Sequence, residues 1–214
     1  MDAAAYNAWY ETARGRWIGA TEYRLLYQAL APAPNDSLLD VGCGSGYFTR
    51  RFAQDRLRVT GLDPDAGMLR FAAAHAAAGE PYLFGDACAL PFPARAFDLC
   101  VCITALCFMR EPSRALAEML RVTRRRLVLG LLNRHSLLYL QKGRAGGAGA
   151  YHGAHWHTHA EVRQLFEGLP VARLALRSAI YLPGGNRFAR LCEQVLPNRL
   201  AWGSFLVVSA DLLA

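Results

Sequence analysis

The sequence predicts an α/β protein, a mostly parallel sheet with helices on both faces. Three observations point there. Short apolar runs of strand length alternate with helical segments between residues 37 and 131. A glycine-rich turn, GCGSG, follows the first of those runs, and two later runs each deliver an aspartate at the carboxyl end.

Taken in order, an N-terminal segment rich in aromatics, Tyr6, Trp9, Tyr10 and Trp17, leads into a helix ending near Ala31, before the P-A-P stop. Strand one is Ser37 to Val41, and after the glycines a helix runs from about Tyr47 to Gln54. Strand two, Arg58 to Leu62, delivers Asp63; Pro64 then opens an alanine-rich helix that ends before Gly79. Strand three, Tyr82 to Phe84, delivers Asp86. Strand four is Phe97 to Ile103, a helix spans Pro112 to Val122, and strand five is Leu127 to Leu131.

Beyond this point the regularity breaks. The stretch Asn133 to Tyr151 contains GRAGGAGA and reads as a flexible connection or lid, because glycine at that density does not hold a helix. Thr158 with Glu161 forms a T-x-x-E capping box, so a helix starts there and runs to about Glu167. Val171 to Leu182 and Gly203 to Asp211 read as two further strands, with a short helix, Asn186 to Leu196, between them. The expected organisation is one domain over 1–214: an aromatic cap and helix (1–31), a core (37–131), a lid (133–160) and a C-terminal strand pair with helices (161–214).

Composition narrows the class. With 53% hydrophobic and 19% charged residues, wholesale disorder is excluded. The longest uncharged apolar run, Leu99 to Met109, is far shorter than the roughly 18 residues of a spanning helix. No export signal is visible, so a cytoplasmic location without a membrane span is expected. Cys43, Cys88, Cys100, Cys102, Cys107 and Cys192 lie mostly in apolar segments without a C-x-x-C pair, and read as free thiols in a reducing compartment. The net charge of +7 is almost wholly arginine, Lys142 being the only lysine, and it is too diffuse to argue for a nucleic-acid partner. The one tight run, Arg124 to Arg126, is expected to close a helix and enter a strand, where cations complement the helix dipole on a solvated face.

The most informative stretch is Leu38 to Gly46, LLDVGCGSG. Gly42, Gly44 and Gly46 follow G-x-G-x-G, whereas a dinucleotide fingerprint places its third glycine one position later, where Tyr47 stands. A nicotinamide-dependent dehydrogenase is therefore the second choice. No G-K-[ST] follows, which excludes a Walker-type phosphate loop. Asp63 lies 21 residues after Gly42 at a strand end, where a carboxylate can accept both ribose hydroxyls of a nucleoside; the neighbouring Asp65 suits a helix cap instead.

The D-x-G-x-G-x-G turn, combined with VTGLDPDAGML, the acid of GDACALPF, and FDLCVCITAL, resembles the class I S-adenosylmethionine-dependent methyltransferases. The likeness is to their small-molecule branch, which includes ubiquinone and menaquinone biosynthesis enzymes. The resemblance covers Leu38 to Leu131 and extends more loosely to the C-terminus. It implies a Rossmann-like sheet of seven strands whose last strand, Gly203 to Asp211, inserts antiparallel beside strand five. It also implies S-adenosylmethionine as cofactor, S-adenosylhomocysteine as product, and a cofactor-binding set of Asp40, Gly42, Cys43, Gly44, Gly46, Asp63, Pro64, Met68, Asp86, Ala87 and Ile103. In that set Asp40 orients the glycine turn or meets the methionine amino group, and Asp63 holds the ribose. Asp86 and the backbone of Ala87 read the adenine edge, while Met68 and Leu62 pack its faces. Cys43 contributes small size and backbone, not a nucleophile.

The acceptor is argued by elimination. After strand four the chain reads CITALCFM, without the N-P-P-Y, D-P-P-Y or P-C signatures of base methylation. No acidic cluster at magnesium-ligand spacing is present. A small, fairly apolar acceptor attacking through oxygen, carbon or sulfur remains. The alternatives are an RNA or protein methyltransferase, a non-catalytic nucleoside sensor, and the oxidoreductase already named. Tyr6, Trp9, Tyr10 and Trp156 are expected to wall the substrate pocket, Trp156 having the other reading of an anchor for the lid. From YHGAHWHTHAE, which holds His152, His155, His157 and His159, His155 and His157 are the candidate catalytic residues. No metal is expected at this H-x-H-x-H, because no carboxylate or cysteine is read as accompanying it in sequence.

Overall fold

The computed structural model describes residues 2–213. Two helices, α1 (Ala3–Tyr10) and α2 (Ala13–Leu30), open the chain where one was expected. They separate at Glu11 and Thr12 because the Thr12 hydroxyl accepts from Gly15 N and so starts a new helix. The elements β1 (Ser37–Val41), α3 (Tyr47–Gln54), β2 (Arg58–Asp63), α4 (Ala66–Ala74), β3 (Tyr82–Phe84), β4 (Phe97–Ile103) and α5 (Pro112–Val122) follow. Then come β5 (Thr123–Leu132), α6 (His159–Leu165), β6 (Val171–Ala179), α7 (Arg187–Val195) and β7 (Phe205–Leu212).

All seven strands join one sheet in the order β3-β2-β1-β4-β5-β7-β6. The pairs from β3 to β5 are parallel, and β7 runs antiparallel to both β5 and β6, as the resemblance implied. Side chains alternate between the two faces along each strand. On one face Leu39, Leu129, Leu206 and Val208 pack with Leu116 and Met119 of α5. On the other, Leu38, Val101, Val128 and Val207 pack with Leu26 and Leu30 of α2 and Phe48 and Phe52 of α3. Each leucine fully buried in this way contributes about 1.5–3 kcal/mol. Cys100 and Cys102 face the α5 side together with Cys107, and all six cysteines are free.

Several boundaries differ from expectation. α4 ends at Ala74, before a turn in which Glu80 accepts from Ala77 N and Ala78 N. β5 begins at Thr123, so the three arginines lie inside the strand, each beside an acid, and do not serve the dipole of α5. Arg124 pairs with Asp98 of β4 at 3.1 Å, Arg125 with Asp36 at 2.6 Å, and Arg126 with Asp211 of β7. Arg126 also donates to Ala29 O and Leu30 O, the open carbonyls at the end of α2. The 133–151 stretch forms consecutive short turns at Tyr139–Gly143, Arg144–Gly146 and Gly149–Tyr151.

Candidate active site

The carboxyl ends of β1, β2, β3 and β4 lie side by side, and the glycine turn leaves β1 there. Gly42, Gly44 and Gly46 adopt φ of 75°, 52° and 76°, the left-handed region in which a side chain is strained. A Cβ at Gly46 would lie 2.7 Å from the Tyr82 hydroxyl, whereas one at Gly44 would meet no protein atom within 4 Å. The tight positions set the turn, and the open one bares main chain to a ligand. No side chain caps the start of α3 at Gly46. Its N–H groups and dipole therefore also face the turn.

Asp63, only 8% exposed, accepts from Gly44 N at 2.9 Å and from Asp65 N at 2.8 Å. One carboxylate thus ties the end of β2 to the glycine turn. Its oxygens retain free lone pairs, since a carboxylate offers about four acceptor directions. Burial raises its pKa, and the two backbone bonds oppose that rise. Asp65 caps α4, accepting from Gly67 N and Met68 N. Pro64 is exposed and Met68 half-buried beside it, at the start of α4. Past β3, Asp86 is exposed and holds its own turn by accepting from Cys88 N, next to the buried Ala87.

Asp40 behaves differently from a ligand-facing acid. It is 2% exposed and its carboxylate accepts from the Thr49 hydroxyl at 2.7 Å, which pins α3 to β1. Burial pushes its carboxyl up to about 7. Cys43 lies in the turn as expected, and burial raises its thiol pKa far beyond neutrality, so it is no nucleophile. At the end of β4, Ile103 is buried and Thr104 is held at φ 58°, an outlier for a β-branched residue. Ala105, directly after it, fills the space where a Cβ on Gly42 would sit.

The N-terminal cap is anchored to the turn by a link that sequence reasoning missed. Arg50 donates to Ser45 O at 2.7 Å and to Asn7 Oδ1 at 2.9 Å, joining α1 to the glycine loop. The Ser45 hydroxyl is fully buried within that loop and has no partner among the described residues. Tyr10 is buried and stacks on Tyr47 at 3.6 Å, which makes it a packing residue; Tyr6 and Trp9 are half-buried around it. Glu22 was also missed. It is half-buried on α2 between Ile18 and Leu25, and burial pushes its carboxyl up to about 8. Burial raises the pKa of Tyr6, Tyr10, Tyr47 and Tyr151, and the Glu22 charge adds to the rise in each. An acid at helical spacing within an apolar stripe was the available signal.

The expected catalytic and pocket residues after β5 are divided. Trp156 is 4% exposed and packs between Tyr139 and Tyr151, both with ring centres at 5.4 Å, so it anchors the turns of the 139–151 stretch. His155 is exposed and His157 buried, with ring centres 4.5 Å apart. Burial lowers the His157 pKa to about 4, with a smaller push from His155. The expectation that no carboxylate accompanies them is corrected. Glu161, four residues after His157, is brought by the capping box into one group with both rings.

This arrangement of strand ends, glycine turn and antiparallel β7 is that of a class I methyltransferase fold. Solved structures agree. One from Thermotoga maritima, described as a possible histamine N-methyltransferase, superposes with a TM-score of 0.75 at 21% identity, covering 98% of this chain and 96% of that one. The magnesium protoporphyrin IX methyltransferase of Synechocystis, with S-adenosylhomocysteine bound, gives 0.62 at 18% identity over 91% and 84%. Residues 39–129 match the family model described as a methyltransferase domain. The malonyl-[acyl-carrier protein] O-methyltransferase of Serratia marcescens is 43% identical over 42% of this chain and 35% of its own length. An uncharacterised protein of Mycobacterium tuberculosis is 35% identical over 86% of this chain and 63% of its own. The chain thus spans from about a third to under two thirds of these relatives. Over residues 39–129 it is similar to methyltransferase domains, and it shares the fold of the class I methyltransferases.

Proposed function

We propose that the chain transfers the methyl group of S-adenosylmethionine to a small, fairly apolar acceptor carrying an oxygen, carbon or sulfur nucleophile. The observation that carries this is the pairing of three left-handed glycines with Asp63, which sets bare main chain and a carboxylate side by side at the strand ends. The buried, unpartnered Ser45 hydroxyl fits a polar ligand in the same loop. Relatives named as a malonyl-[acyl-carrier protein] O-methyltransferase and a demethylmenaquinone methyltransferase favour a non-nucleic-acid acceptor. Among the described residues no helix is long and apolar enough to cross a membrane. Six free cysteines suit the cytoplasm.

In this reading Gly44 and Gly46 approach the cofactor with main chain, Asp63 holds the ribose hydroxyls, and Asp86 with Ala87 borders the adenine. When bound, the sulfonium supplies a methyl group already activated for displacement, so the chain contributes alignment and exclusion of water, worth about 7–11 kcal/mol. The cap helix α1, fixed by Asn7 and Arg50, closes the cleft from above. Glu22, whose carboxyl burial pushes up to about 8 and whose charge acts on Tyr6, Tyr10, Tyr47 and Tyr151, is the group we assign to accept a proton from the acceptor once it is ionised, at and above that pH. Calorimetry with S-adenosylhomocysteine tests the core of this reading. Binding is expected, with none for NAD, and Asp63→Ala should weaken it by about 1–3 kcal/mol. Heat with NAD alone would overturn the assignment.

A further inference from the structure

His155 and His157 are spaced by two along a segment pinned at both ends. His155 N donates to Cys107 O at 2.7 Å and His157 N to Leu132 O at 2.8 Å, while Arg134 N returns a bond to His157 O. Two residues apart on extended chain, their rings fall on one side. Glu161 is held just as firmly. Its carboxylate accepts from Thr158 N at 2.7 Å in the first turn of α6, and its Oε2 lies 3.9 Å from His155 Nε2. One ligand atom from each of the three lies within 4.8 Å of the other two.

A second, independent observation points to a ligand. His157 is 5% exposed, yet its Nε2 has no hydrogen-bond partner among the described residues. A buried imidazole nitrogen left bare costs free energy that a partner would recover. We propose that His155, His157 and Glu161 bind one divalent transition cation of the zinc class. Two imidazoles and one carboxylate are the donors such ions prefer, whereas magnesium and calcium take shells of oxygen. Tetrahedral bonds of about 2.0 Å place ligand atoms about 3.3 Å apart. The exposed His155 side chain is free to rotate through the remaining gap. Three protein ligands leave a fourth position for water or another small ligand. The ion would clamp the end of the 133–157 stretch to α6 and to the turn after β4, independently of methyl transfer.

The test uses the full chain stripped with EDTA, without S-adenosylmethionine, titrated with zinc chloride by calorimetry and with cobalt(II) by visible absorption. One equivalent of zinc should bind, with tetrahedral cobalt bands. His155→Ala, an exposed change that leaves packing intact, and Glu161→Gln, which still accepts from Thr158 N, should each weaken zinc binding tenfold or more. His152→Ala, with an unchanged melting temperature as fold control, should not. Failure to bind a stoichiometric ion, equal affinity in wild type and both ligand variants, or an equal loss in His152→Ala would overturn the proposal.

Discussion

Asp40 carries a cost that depends on pH. Its folded-state pKa of about 7 stands above the ordinary carboxylate value because burial disfavours the charge, and one bond from Thr49 only partly offsets this. A raised folded pKa means stability that is fully present below the unfolded value near 3.8 and is lost as pH rises through about 7. The ligand-free protein should therefore melt higher at pH 5 than at pH 8 on this account, and Asp40→Asn should flatten that difference in thermal melts. Glu22 allows a kinetic prediction. Glu22→Gln should lower kcat tenfold or more with an accepted substrate and leave S-adenosylhomocysteine affinity within about twofold, as read by labelled methyl transfer beside calorimetry. Equal kcat would remove it as the proton acceptor. The glycines and Asp63 were legible because left-handed backbone and a strand-end acid leave a mark in local sequence. Ser45, Asn7 and Arg50 were not, because their roles come from α1 folding back over residues some forty positions away.

At the scale of elements, strand ends are joined by charge as well as by the ladder. Asp98 at the start of β4 accepts from both the N–H and the hydroxyl of Ser37 at the start of β1, and pairs with Arg124 of β5. Those bonds hold its carboxyl down at about 2. A depressed folded pKa gives stability present above the unfolded value near 3.8 and lost as pH falls through about 2. Asp98→Ala should cost roughly 1–3 kcal/mol in urea unfolding at pH 7, and the difference from wild type should shrink below pH 3. The extents of β1, α3, β3, β4 and α5 were readable from periodicity and caps. The start of β5 was not, since the three arginines read as a passage from helix into strand until Asp36, Asp98 and Asp211 are seen beside them. The 133–151 stretch was read as loose from its glycines, and the anchoring of its turns through Trp156 depends on Tyr139 and Tyr151 meeting in space.

Across the whole molecule, the two faces of the sheet are sealed by different sets of helices, and β7 contributes to both. Leu206 faces α5 and Val207 faces α2, each almost wholly buried. Leu206→Ala should cost about 2–5 kcal/mol, measurable as a lowered urea midpoint with an unchanged slope. Unaltered stability would mean that this face repacks. The place of β7 beside β5 was available only through likeness to a family, because no local pattern says that the strand after β6 will lie between β6 and β5.

That interposition makes β6 a dependent strand. Among the described residues its sheet partner is β7 alone, whereas β7 is bonded on both edges. An opening that frees β7 from β5 carries β6 away with it, yet β6 can fray while β7 stays in place. Amide hydrogens donated by β6 should therefore exchange no more slowly than those β7 gives to β5, and the sheet loosens from this rim inward.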